Sequence, residues 1–250
     1  MSPLTSSPRV LSRIGGILYL MIIVGGAYGE MFLRGRLIVP GDATATAANM
    51  TSMESLWRIG VASEVFMLVC ALVLTWILFL LLRPVSRELA LLAVFFTLVT
   101  LAVEAINELQ LLAALFPLGS AGYLGAFAPE QLHAMASLSL KAYSYGFGFA
   151  LIFFGCSLIV FGYLVSRSRY LPRTIGVLMQ IGGVSYLLNS FALILSPAVA
   201  ARLFPFILLP AFVGEVSLCL WLLLKGVDME KWDARARSQA AGSPGNTVGA

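Results

Sequence analysis

Charge is what this sequence has least of. Only 11% of its 250 residues are Asp, Glu, Lys or Arg, whereas an average soluble domain carries roughly 25%. Sixteen basic and twelve acidic residues cannot cover an exterior of this size in water, which excludes a soluble globular protein. Histidine is nearly absent: His133 stands alone, with no second His or Cys at ligand spacing, so it reads as a surface residue outside the membrane and no metal site is expected. The three cysteines, Cys70, Cys156 and Cys219, lie far apart inside apolar runs without a CxxC. That excludes a disulfide framework or thiolate metal centre and leaves them as small packing residues. No GxSxG and no glycine-rich phosphate loop is present, so the corresponding hydrolase and nucleotide chemistries have no support. The formal charge of +4 does not imply nucleic acid, because basic residues of a membrane protein sort by side of the bilayer.

What fills the chain instead is apolar: 60% of residues are hydrophobic and mean hydropathy is +0.94. The partner implied is the lipid bilayer, and at about 20 apolar residues per crossing six or seven helices fit. Arg9 and Arg13 before an apolar stretch resemble a signal peptide. That stretch runs from Ile14 past Gly29 to Phe32, which is long for a cleaved segment, so it is read as the first membrane helix. Breaks at Pro, Gly and basic residues then delimit six spans near 14–33, 57–82, 89–115, 129–165, 174–195 and 203–224. Between the first two, Pro40-Gly41-Asp42 marks a turn in a polar loop, and Thr51 or Ser52 is a candidate cap for the second helix. The fourth span is about 55 Å long, more than one crossing needs, so its first turns are expected to leave the bilayer or lie on it. Pro205 and Pro210 are expected to kink the sixth.

Six crossings place both termini on one side. Eleven of the 16 basic residues fall at the termini and in the loops on that side, and five on the other, so the termini are expected to be cytoplasmic. The sequence therefore reads as an all-α, polytopic transmembrane bundle of six helices in the cytoplasmic membrane. Residues 1–13 form a cytoplasmic N-terminal segment, 14–226 the transmembrane domain, and 227–250 a cytoplasmic tail expected to be largely disordered.

The candidate site consists of charges in the wrong solvent. A carboxylate at mid-bilayer costs about 2.5–3.5 kcal/mol on insertion scales, so each needs a proton, a partner or a wet cavity. Glu30, Glu64, Glu104, Glu108 and Glu215 qualify. At a rise of about 1.5 Å per residue, Glu30 and Glu104 lie roughly 24 Å from the cytoplasmic ends of their helices, Glu108 about 30 Å and Asn189 about 22 Å. Glu64 comes to a similar level, and Glu215 sits nearer the midplane. Glu104, Asn107 and Glu108 are spaced i, i+3 and i+4 and share one helix face. Two carboxylates on adjacent turns repel when both ionise. The pair must share its charge with a proton or with Lys141, Arg34 or Arg58. Lys141 is placed close to the outer interface, with Tyr143 and Tyr145 as headgroup-level aromatics.

The expected ligand-binding set is thus Glu30, Glu64, Glu104, Asn107, Glu108, Lys141, Asn189 and Glu215, lining an outward-facing polar cavity for a proton, a cation or a small polar ligand, in transport or sensing. The same residues read equally as a hydrogen-bonded network that only fixes helix packing. An intramembrane enzyme that uses a carboxylate on a lipid-like substrate and an accessory subunit are also compatible with the pattern. No catalytic residue or cofactor is assigned, and the oligomeric state is left open.

Several motifs in order carry a family resemblance over roughly Arg13 to Lys225: Arg13-Ile-Gly-Gly-Ile-Leu-Tyr19, Arg34-Gly-Arg-Leu-Ile-Val-Pro-Gly-Asp42, Arg58 with Glu64, and Leu82-Arg-Pro-Val85. Phe154-Gly155, Gly162-Tyr163-Leu164, Tyr170-Leu-Pro-Arg173 with Gly176, and Tyr186 with Asn189-Ser190-Phe191 follow, and then Glu215, Leu220-Trp-Leu222 and Lys225-Gly226. With these the chain resembles a bacterial integral-membrane family known as domain of unknown function 4386. The resemblance implies a six-helix membrane bundle and supplies no activity.

Overall fold

A computed structural model describes residues 7–241. It is an all-α bundle, and six of its helices are long and apolar enough to cross a membrane. In chain order, the elements are α1 (Pro8–Leu37), α2 (Ala43–Ser52), α3 (Glu54–Leu82), α4 (Arg87–Ala113), α5 (Pro129–Ser168), α6 (Arg173–Leu195), α7 (Pro197–Leu203), α8 (Leu209–Leu224) and α9 (Met229–Ala241). The spans are α1, α3, α4, α5, α6 and α8, the last with the short turn Phe206–Leu208 before it. The protein is a multi-pass membrane protein, and both described ends of the chain lie at the same end of the bundle.

The exterior shows why these helices are hydrophobic on every side. Phe66, Trp76, Phe95 and Leu188 all turn outward, at 57–61% exposure, which suits side chains dissolved in lipid. Inside, packing relies on small residues, because lipid removes the hydrophobic drive between helices. At the α5–α6 interface a Cβ at Gly155 would stand 2.7 Å from the Gly183 carbonyl oxygen, and one at Gly162 would stand 2.6 Å from that of Gly176. Only glycine permits this backbone approach.

Four local expectations are corrected. The polar loop after α1 contains a helix, α2, whose cap is Asp42: its Oδ1 accepts from the Ala45 amide at 2.8 Å. Thr51 and Ser52 instead donate to carbonyls of their own helix, so neither caps α3. Pro205 and Pro210 do not kink the sixth span. Pro205 lies before it in a turn and Pro210 at its first positions, where a missing N–H costs no hydrogen bond. The tail is not disordered over Met229–Ala241, which is helical. Its anchor is Trp232, whose Nε1 donates to the Leu81 carbonyl at 3.0 Å, the same oxygen that accepts from the Tyr170 hydroxyl at 2.7 Å. Residues 1–6 and 242–250, within the two terminal segments, lie outside the described residues.

The fourth span, α5, is 40 residues long, about 60 Å, and its first turns pack beside α2, where His133 Nδ1 lies 3.2 Å from the Thr44 hydroxyl. This extension and α2 form a cap over the end of the bundle opposite the termini. Trp57, Met50 and Leu37 are fully buried beneath it.

Candidate functional site

The last turns of α1 widen into a π-helical segment over Gly29–Arg34, a distortion that often marks functional positions. It brings Arg34 inward beneath the cap. Arg34 Nε donates to Glu30 Oε2 at 2.8 Å, and Nη1 donates to Glu64 Oε1 on α3. The Arg34 and Glu64 side chains are 13% and 10% exposed, against 65% for Glu30. One guanidinium thus links a buried carboxylate to a surface one. Its carbon also lies 5.3 Å from the ring centroid of Tyr143 on α5, within cation–π range.

Tyr143 completes the enclosure. Its hydroxyl donates to Glu64 Oε2 at 3.3 Å, while its carbonyl accepts from Asn107 Nδ2 on α4 at 2.9 Å. Glycine makes room twice. A Cβ at Gly29 would stand 2.7 Å from Glu64 Oε1, and one at Gly146 would overlap the Asn107 amide. One residue beyond Asn107, Glu108 is buried beside Glu64, and its Oε2 has no hydrogen-bond partner.

The structure therefore brings together Glu30, Glu64, Asn107 and Glu108 around Arg34. Glu104 lies one turn from Glu108 on the same face, half-buried and without a side-chain hydrogen bond among the described residues. Glu215 belongs to a second cluster, nearer mid-span, where it accepts from Tyr19 on α1 at 3.0 Å and from Tyr186 on α6 at 2.6 Å. Asn189 is half-buried on α6 and joins neither cluster. Lys141 is exposed. Two residues along a helix turn a side chain by about 200°, so the rotation that buries Tyr143 sends Lys141 away from the site. Tyr143 is accordingly a buried member of the cluster at 9% exposure, not a headgroup-level aromatic. Arg58 does not neutralise the cluster either; it pairs with Glu54 at the surface at 2.7 Å.

The sequence offered Arg34 only as one of three cations that could neutralise Glu104 and Glu108, and not as the hub between Glu30 and Glu64, although its i,i+4 spacing to Glu30 was a usable sign. Sequence reasoning missed the tyrosines that serve as donors. Nothing in their spacing could have shown it, because Tyr19 and Glu215 are 196 residues apart. Among the described residues no three His, Cys, Asp or Glu side chains are placed to hold a metal ion, and Arg34 stands between the carboxylates of Glu30 and Glu64.

These elements lie within residues 14–226, which match the family model described as "Domain of unknown function (DUF4386)". The chain belongs to that family. An uncharacterized protein of the archaeon Archaeoglobus fulgidus is 27% identical over 151 residues, 60% of this chain and 72% of the relative. No solved structure matches the chain. The DUF4386 region begins within α1 and ends just past α8; it therefore holds both carboxylate clusters and leaves α9 outside.

Proposed function

We propose that this DUF4386 protein lies in the cytoplasmic membrane with both termini in the cytoplasm, and that the cluster around Arg34 binds a proton or a small cation for transport or sensing. The basic residues at the termini-bearing end support the orientation. One observation carries the assignment: a buried Glu108 oxygen that no donor reaches, on a carboxyl within hydrogen-bond reach of Glu64, whose own oxygens already accept from Arg34 and Tyr143. A single guanidinium faces three carboxylates, and a buried acceptor left unmatched is costly. A proton or a cation at Glu108 removes that cost. Glu30, exposed on the far side of Arg34, gives the cluster its route to the outer face.

The test is thermal stability of the purified protein across pH and across Na⁺, K⁺ and Mg²⁺ concentration, for the parent chain and for Glu64→Gln and Glu108→Gln. Binding predicts a pH- or cation-dependent midpoint whose dependence flattens in Glu108→Gln. An unchanged dependence in both variants would leave the cluster as packing alone.

A further inference from the structure

At the termini-bearing end, far from the carboxylates, a cavity of about 1030 Å³ lies among the ends of α4, α5 and α6 and the tail helix α9. Four arginines line it: Arg167, Arg169, Arg173 and Arg235, together with Gln180 and Ser166. No Asp or Glu is among the lining residues. None of the four guanidiniums forms an ion pair among the described residues.

The backbone gathers these residues. α6 starts at Arg173 behind Pro172 and turns Arg173, Val177 and Gln180, one turn apart along one face, toward the cavity. Arg169 closes α5 in a left-handed conformation at φ 65°, which reverses the chain and puts Arg167, Arg169 and Arg173 on one short connection. Arg167 lies over the Tyr163 ring at 5.5 Å, so its position is fixed by stacking as well as by charge. Arg235 comes from a different element altogether, on a helix docked through Trp232. Sorting of basic residues to one side of a membrane needs only that they be on that side. It does not need four of them to line one concavity unpaired, with the carboxylate that reaches its lining, Glu88, held by the Ser86 hydroxyl at 3.2 Å.

Guanidinium forks converging on one concavity are suited to one chemical group above others. We propose that this cavity binds a phosphate group, carried by a lipid headgroup or by a soluble phosphate ester. Val85, Leu89 and Val177 also line the cavity and give an attached hydrocarbon or ring an apolar surface.

The test uses the full chain in two settings. In detergent, inorganic phosphate is titrated with thermal stability as the readout; in nanodiscs of phosphatidylcholine with or without phosphatidylglycerol, retained lipid is read by native mass spectrometry after extraction. Arg173→Gln and Arg235→Gln are compared with Arg237→Gln, which removes the same charge from the tail without lining the cavity. Stabilisation by inorganic phosphate that weakens about tenfold or more in the two lining variants, and not in Arg237→Gln, establishes a soluble phosphate ligand. Selective retention of phosphatidylglycerol with the same variant pattern establishes a headgroup. Absence of both effects, or equal loss in Arg237→Gln, overturns the proposal. Should Arg173→Gln fail to fold, Arg235→Gln carries the comparison alone, since its side chain is on an exposed helix face.

Discussion

The Tyr143 hydroxyl donates to the Glu64 carboxylate across 79 residues of chain, and the same tyrosine ring lies under the Arg34 guanidinium that pairs with that carboxylate. Three helices, α1, α3 and α5, meet through one charged group and its two neighbours. Because Arg34 and Glu64 are both shielded, each stabilises the other only while both are present.

Arg34→Met is therefore expected to cost about 3–5 kcal/mol, the range for removing one member of a buried pair. Adding Glu64→Gln to it should restore part of the loss, because the orphaned carboxylate is then gone. Thermal or denaturant unfolding of the single and double variants in one detergent measures this, and simple additivity would contradict it.

Gly146→Ala places a Cβ against the Asn107 amide and should break the Asn107–Tyr143 bond, with a loss of about 1–3 kcal/mol for the buried groups left unpaired. Asn107→Ala alone should cost a comparable amount. In the Asn107→Ala background Gly146→Ala should be nearly silent, since the clash partner has been removed. A full second penalty there would show that the glycine serves something else.

Tyr19 and Tyr186 satisfy the Glu215 carboxylate from two different helices. Tyr186→Phe, which removes the shorter bond at 2.6 Å, should destabilise by about 1–3 kcal/mol, and Tyr19→Phe by less. Glu215→Gln should be milder than either Tyr→Phe change, because the hydroxyls bond different oxygens of the carboxylate: the amide oxygen accepts from one, and the NH2 donates to the oxygen of the other. The order of unfolding midpoints decides.

Trp232 holds the tail helix to the bundle through Leu81. Trp232→Ala should leave the six-helix bundle intact but expose α9 to limited proteolysis after residue 228, while Tyr170→Phe, which removes the neighbouring bond to the same carbonyl, should not release it. Cleavage rates compared with intact-bundle melting separate the two effects.

The start of α9 should respond to acid. Asp228 Oδ1 accepts from the Lys231 amide at 3.3 Å, and its carboxylate also pairs with the Lys231 ammonium at 2.8 Å. Hydrogen bonding by Lys231 holds the Asp228 carboxyl below its ordinary value of 3.8. A depressed carboxyl stabilises the folded form above its unfolded value and loses that contribution as pH falls through its folded one. Amide exchange over residues 229–232 should accelerate, relative to the unfolded-chain rate at the same pH, on acidification below about pH 4, and Asp228→Asn should remove that step.

The shortage of charge and the length of the apolar runs were enough to determine six membrane helices and their approximate limits, because transfer into lipid depends on composition summed over some 20 residues and not on who packs against whom. Carboxylates at spanning positions were visible for the same reason. Which of them meet was decided by tertiary structure. The π-helical turn at Gly29–Arg34, the rotation of α5 that buries Tyr143 and exposes Lys141, and the pairing of Tyr19 with Glu215 at a separation of 196 residues depend on helix rotation and depth. A helix apolar on every side carries no periodicity to reveal that rotation. The basic loops divide in the same way: their residues could be sorted to one side of the membrane from the sequence, but only the left-handed turn at Arg169 and the docking of α9 place Arg235 at one cavity with the arginines of a loop more than sixty residues away.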